Sequence, residues 1–199
     1  GLSSAKSEVQ TVLAADQALK LTRQGGSKLI LGKGLYNYYA EFYVERLING
    51  VVSSGADAVT VNLRCVAEDV CNAPATVTIP AGQSYAYIQV TGVDVGTTQI
   101  EATAEGATAA APMPVDVIQP QLVISSLDGQ RTTSSLRDNF SVSLQVPGAL
   151  YSSNQYAASP LAVNLSLTDQ APAGVVNGIY SASSAGSLIT QLTIGEDST

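Results

Sequence analysis

Residues 75–105, ATVTIPAGQSYAYIQVTGVDVGTTQIEATAE, constrain this chain more than any other stretch. Val77 and Ile79 alternate with threonines until Pro80, Ala81 and Gly82 break the run. Ala86, Ile88 and Val90 alternate with Tyr87 and Gln89, and Gly92 and Gly96 bracket a second turn. Ile100, Ala102 and Ala104 then alternate with Gln99, Glu101 and Thr103. Successive side chains on a strand point to opposite faces. A period of two over such short spans therefore predicts half-buried antiparallel strands, one face on a core and the other in water. The fold class expected is all-β.

The same punctuation runs through residues 18–118. Leu19 and Leu21 open the segment, and Gly25 and Gly26 permit a kink before Leu29, Ile30 and Leu31. LYNYYAEFYVERL, residues 35–47, reads as one long strand with Tyr38, Ala40, Phe42 and Val44 facing inward. Asn49, Gly50 and the Ser53, Ser54, Gly55 run are turn chemistry. Val59, Val61 and Leu63 form the next strand, and Val115 and Val117 close the segment. About seven or eight strands at spacings of about 8 to 12 residues predict a β-sandwich of the immunoglobulin type.

A second, similar unit follows Pro120. Phe140, Val142, Leu144 and Val146 match the long strand, LAVNLSL (161–167) matches DAVTVNL (57–63), and LTI (192–194) matches VTI (77–79). Residues 1–13 resemble 106–118 in passing from glycine through small residues into a short alternating strand, although Val9, Val12 and Leu13 also fit a short amphipathic helix. The expected division is a closing strand of a preceding repeat with its linker (1–17), a complete sandwich (18–118) and a second sandwich truncated before its last strands (119–199). Truncation leaves apolar core and unpaired edges. Their cover is expected from continuing polypeptide or from a strand donated by a neighbour.

VTIPAG (77–82), the alternating run after it and GTTQIEATAEG (96–106) resemble the bacterial immunoglobulin-like repeats of large surface proteins, related to invasin and intimin stalks. The resemblance implies an extracellular, cell-surface stalk, adhesin shaft, or fibre or sheath subunit. Its partners would be neighbouring copies or continuing repeats of the same polypeptide. The cysteine loop and the tyrosine-rich strand depart from that pattern.

Composition narrows the function classes. Net charge is −7 with nine Lys and Arg, scattered rather than clustered, whereas binding a phosphate backbone needs concentrated positive charge. Nucleic acid is not an expected partner, nor is an anionic membrane surface. No apolar run approaches the roughly 20 residues that span a bilayer, so direct membrane insertion is not expected. Histidine is absent, which removes the commonest general base and metal ligand. The carboxylates lack the spacing of a calcium loop, and no Gly-x-Ser-x-Gly elbow occurs. The expectation is therefore a chain with no catalytic residues, no metal and no cofactor. Cys65 and Cys71, six apart in CVAEDVC, read as a local disulfide rather than two free thiols, which places the protein in an oxidising space.

One constellation remains. If Ala40, Phe42 and Val44 face inward, Tyr39 and Tyr43 face outward with Glu41 and Glu45. In the later strand Tyr85 and Tyr87 face outward likewise. In an immunoglobulin-type sandwich these two strands are neighbours, so four tyrosines meet on one surface. Cross-strand aromatic pairing accounts for such a patch, and so does a contact surface, because tyrosine is enriched where proteins bind. The first functional reading is structural, spacing and subunit cohesion. The second is an adhesin module that holds a glycan or host protein through the tyrosine face or the loop at 148–160. A third is an accessory domain of a secreted hydrolase.

Overall fold

The computed structural model describes residues 16–127, 139–151, 155–166, 178–179, 181 and 186–199. Within them every regular element is a strand. In chain order these are β1 (Gln17–Arg23), β2 (Leu29–Gly32), β3 (Leu35–Tyr36), β4 (Phe42–Ile48), β5 (Val51–Val52), β6 (Val59–Cys65), β7 (Cys71–Asn72), β8 (Thr76–Ile79) and β9 (Tyr85–Tyr87). There follow β10 (Thr91–Gly92), β11 (Gly96–Thr103), β12 (Met113–Ile118), β13 (Gln121–Ser125), β14 (Ser141–Gln145), β15 (Tyr156–Ala157), β16 (Leu161–Asn164) and β17 (Gln191–Ile194). The reading of residues 1–13 lies outside the described residues.

Two sheets enclose the main core. In one, β4 is flanked by β1 and β9, with β5 folded back on its end; the other runs β2-β12-β11-β6-β8. Alternation sets the core, because every second residue of these strands points inward. Leu19, Leu21, Phe42 and Val44 of the first sheet meet Leu29, Leu31, Val61, Leu63, Ile79, Ile100, Val115 and Val117 of the second. Each such aliphatic or aromatic side chain, taken fully out of water, contributes about 1.5 to 3 kcal/mol. β2 joins β12 in parallel, while the other pairs of this sheet are antiparallel. Gly92 lets the chain cross close under β2: a Cβ there would lie 2.5 Å from the Gly32 carbonyl oxygen. Cys65 and Cys71 are bonded to each other, Sγ–Sγ 2.05 Å, tying the end of β6 to β7.

The long strand read at residues 35–47 is two strands, and the reason is Asn37. Its side chain is fully buried. Its Oδ1 accepts from Val90 N at 2.6 Å, and its Nδ2 donates to the Ile88 and Tyr38 carbonyls. These side-chain bonds add to the backbone bond from Asn37 N–H to the Val90 carbonyl at 3.2 Å and tie this segment to residues 88–90. The chain then turns, with Glu41 N–H donating to the Tyr38 carbonyl, and alternation restarts at Phe42.

The chain after Pro120 contributes β13–β14, β16–β17 and a smaller core of Leu35, Leu144, Val146, Ala157, Val163 and Ile194. Leu35 belongs to the earlier segment, so this core straddles both. β15 adds itself antiparallel to β3, Ala157 opposite Leu35 and Tyr156 opposite Tyr36. Buried Gln155 fastens the seam: its Oε1 accepts from Gly32 N–H at 2.8 Å and its Nε2 donates to the Ile30 carbonyl at 2.6 Å. Tyr36 stacks on Tyr156 at 5.5 Å, and its hydroxyl donates to Asp197.

The two segments share one strand ladder. Val59, Thr60, Val61 and Asn62 pair with Ile79, Thr78, Val77 and Thr76. Leu161, Ala162, Val163 and Asn164 pair with Ile194, Thr193, Leu192 and Gln191 in the same order. The next rung repeats too: Leu63 N–H donates to the Ala75 carbonyl at 2.9 Å, and Leu165 N–H to the Thr190 carbonyl at 2.8 Å. Val59 therefore corresponds to Leu161, two residues from the correspondence drawn from the sequence. Pairing VTVNL with LAVNL keeps the buried valine and the asparagine in place, which the earlier match did not.

Candidate functional site

Three of the four tyrosines named from the sequence sit on one sheet, Tyr43 on β4 and Tyr85 and Tyr87 on β9. Tyr43 pairs with Tyr87, and Glu45 with Tyr85, across β4 and β9. Tyr43 lies 5.6 Å from Tyr85 and 6.0 Å from Tyr87, edge to face, and Tyr85 lies 5.2 Å from Tyr87. Tyr39, in the turn before β4, reaches Tyr87 at 5.7 Å. Tyr39 is 61% exposed, Tyr87 41% and Tyr85 39%, while Tyr43 is half-buried at their centre. Edge-to-face contacts set the positive ring edge against the negative face of the next ring, contributing about 0.5 to 1.5 kcal/mol per pair beyond area burial. The neighbouring Tyr85 hydroxyl raises the Tyr87 pKa, and the Tyr39 hydroxyl does the same for Tyr38.

The cluster extends further than the sequence suggested. Tyr38 contacts Tyr39 at 4.8 Å and Tyr151 at 5.4 Å, and the Tyr151 hydroxyl donates to Gln24 Oε1 at 3.0 Å. Six rings thus form a continuous chain from Tyr85 to Tyr151. Tyr38 was read as inward because the long strand was taken as unbroken; the turn at residues 38–41 releases it to the surface. The loop at 148–160, read as a binding loop, spends Tyr151 on this chain and Gln155, Tyr156 and Ala157 on the seam with β2 and β3.

Glu41 is a correction. It is fully buried rather than beside the tyrosines, and its Oε1 accepts from Arg23 Nε at 2.8 Å. The turn after Tyr38 shifts its alternation, and Arg23 at the inner end of β1 draws the carboxylate in. The signal was available: alternation through Leu19 and Leu21 carries Arg23 inward, and a buried guanidinium demands an anion. Burial pushes the Glu41 carboxyl pKa up, and Arg23 pulls it back down in part. Glu45 stays beside the rings, but its carboxylate accepts from Thr22 Oγ1 and pairs with Lys20 at 3.2 Å. Three cations of this region are engaged within the chain. Arg23 holds Glu41, Lys28 holds Asp116 at 2.6 Å, and Lys33 holds Asp94 at 2.8 Å.

Gln24, Tyr43, Glu45, Tyr85 and Tyr87 line a shallow groove. Phenol edges, one amide and one engaged carboxylate can stack and hydrogen-bond, and a groove of this kind presents a surface rather than an enclosed reaction chamber.

No protein-family model matches the chain, and no curated protein matches it. Solved structures do. Domains 5–6 of the S-layer protein SbsC share 17% identity over 92% of this chain and 86% of that one, with a TM-score of 0.41. Domains 4 and 5 of the same protein share 19% identity over 52% of this chain and 54% of that one, TM-score 0.38; this chain thus matches about half of that structure's length. A two-domain protein of unknown function from Bacteroides fragilis shares 12% identity over 75% and 70% of the two chains, TM-score 0.38.

Proposed function

We propose that the chain is a structural repeat of an extracellular surface protein, providing spacing and cohesion, with immunoglobulin-like units at 18–118 and 119–199 and a closing strand of a preceding unit in 1–17. The observation that carries this reading is the repeated ladder of β6–β8 and β16–β17, joined by a built seam. Repeat proteins stack similar units whose stability comes from each unit and from its interface with the next. Here the seam has a shared core, an added strand and a side chain bonded to two backbone groups, which fixes one unit against the next. The pairing of β1-β4-β9 in one sheet and β6-β11-β12 in the other supports the immunoglobulin-like assignment. A disulfide fits an oxidising exterior.

Antibody raised against this chain, applied to intact cells of the source organism, tests the reading. Labelling of unpermeabilised cells and of the wall-associated fraction is expected. Labelling confined to the cell interior overturns it.

A second reading has its own observation, the exposed tyrosine chain. In it Tyr39, Tyr43, Tyr85 and Tyr87, with Glu45 at the rim, form a contact face covered by a neighbouring copy, a glycan or a host protein. Buried tyrosine rings each remove about 150 Å² or more from water, so this cluster would form the centre of a standard-sized contact.

A further inference from the structure

The second ladder copies the first in path and not in cover. In the main core Leu19 and Leu21 are 5% and 7% exposed, whereas Leu122 and Ile124 on β13 are 50% and 53% exposed. Yet these two stand opposite Leu144 and Val142, and Leu144 is buried. Residues directly opposite in an antiparallel pair share a face, so Leu122 and Ile124 lie on the core side of their sheet. Leu63 is buried and its counterpart Leu165 only half so. The difference follows from pairing. β6 has β8 on one side and β11 on the other, Ala102 opposite Leu63 and Thr103 opposite Asn62. Among the described residues β16 has β17 alone, and β14 has β13 alone where β4 has both β1 and β9.

The turn after the ladder is reproduced as well. After Ile79, Gly82 takes φ +78°, its N–H donates to the Gly55 carbonyl at 2.8 Å, and Gln83 N–H donates to the Pro80 carbonyl at 3.0 Å. After Ile194, Asp197 takes φ +58°, its N–H donates to the Ala157 carbonyl at 3.0 Å, and Ser198 N–H donates to the Gly195 carbonyl at 3.2 Å. Positive φ is costly for a residue with a Cβ, so the left-handed aspartate marks a turn that the tertiary structure holds in place. In the first unit this turn delivers the chain into β9 beside β4, and then into β11 and β12.

We propose that the outer edge of β16 and the core face of β13 and β14 form an acceptor for polypeptide continuing from the turn at 195–198. The occupant is built like residues 85–118: a short strand beside β14, then a hairpin whose first strand pairs antiparallel with Asn164, Leu165 and Ser166. Its inward positions carry apolar residues, as Ile100 and Ala102 do on β11. The occupant continues the chain rather than being a separate peptide, because the turn at 195–198 matches the turn that leads the first unit into β9, and the edges of β14 and β16 are unpaired among the described residues. This rests on the tandem-repeat reading above; the surface-labelling experiment is independent of it, so either can fail alone.

The test is to extend the chain after Thr199 with a second copy of the sequence at 85–118 and follow amide hydrogen exchange. Exchange at Asn164, Leu165 and Ser166 is expected to slow by about tenfold or more, and binding of a hydrophobic dye to fall as Leu122 and Ile124 are covered. The same extension with Ile100→Asp and Ala102→Asp in the appended copy is expected to give neither effect, while exchange at β6 and β11 shows that the first unit is intact in both. An extension that leaves exchange at these amides unchanged overturns the proposal. So does equal protection by the charged copy. So does concentration-dependent protection of the same amides in the unextended chain, with self-association in sedimentation, which would make a second copy the occupant.

Discussion

Arg23 and Glu41 are buried together, and neither is tolerable alone. The Glu41 Oε2 has no hydrogen-bond partner among the described residues, so the pair is desolvated and only partly satisfied. Removing one member of a buried pair leaves an uncompensated charge, costing about 3 to 5 kcal/mol, whereas replacing both by apolar groups is often neutral. Glu41→Ala is expected to lower the unfolding free energy by about 3 kcal/mol or more. Arg23→Met combined with Glu41→Leu is expected to recover most of that in urea titrations. If the double variant is as unstable as the single ones, the pair is a positive contributor and not a constraint to be satisfied. At the same scale, Cys65→Ser with Cys71→Ser is expected to cost about 2 kcal/mol, the chain-entropy value for so short a loop. Reductant added to the native protein should reproduce the loss.

At the scale of elements, the seam between β2, β3 and β15 hangs on one glutamine. Gln155→Ala leaves the Gly32 N–H and the Ile30 carbonyl without the partner they have inside, and each orphaned buried group costs about 1 to 3 kcal/mol. The expected result is detachment of β15 at denaturant concentrations where β6 and β11 remain protected, read by hydrogen exchange at Ala158, whose N–H donates to the Gly34 carbonyl. Scattering should show a broader distribution of lengths. Tyr36 adds a pH dependence. Burial, first, and its bond to Asp197 hold its pKa up, at about 12 against an ordinary 10.0. Because the folded value is the higher, its contribution is fully present below about pH 10 and is lost as pH rises through about 12. Alkaline titration of tyrosinate absorbance with scattering measured alongside should find the seam loosening in that window, and Tyr36→Phe should remove this part of the dependence.

For the whole molecule, the tyrosine chain decides between a structure that only holds itself together and one that also holds a neighbour. Tyr43→Ser with Tyr87→Ser removes the centre of the cluster but no residue of the main core. Cross-strand pairs contribute about 0.2 to 1 kcal/mol each, so the folded chain is expected to survive with a modest loss in melting temperature. Self-association of the chain, followed by sedimentation, is expected to weaken markedly if the contact reading holds. Unfolding would mean that the rings serve the sheet. Unchanged folding and unchanged assembly together would remove the contact reading.

Alternation alone determined a good deal of this protein. The inward positions at Leu19, Leu21, Val61, Leu63, Ile79, Ile88, Ile100, Ala102, Val115 and Val117 follow from a period of two, because the pleat imposes it on any half-buried strand. The pairing of the tyrosine strands β4 and β9 followed from strand order in a sandwich. Other features depended on partners distant in the chain. Asn37 breaks a strand because the backbone it bonds to is some fifty residues later, at Ile88 and Val90. Glu41 turns inward because Arg23 waits there. Gln155, unremarked in a polar loop, is buried because β15 lands on β3 and leaves two backbone groups to be bonded. Period and turn chemistry are local and can be read along the chain; which polar group will find its partner in the interior is settled only when distant segments meet.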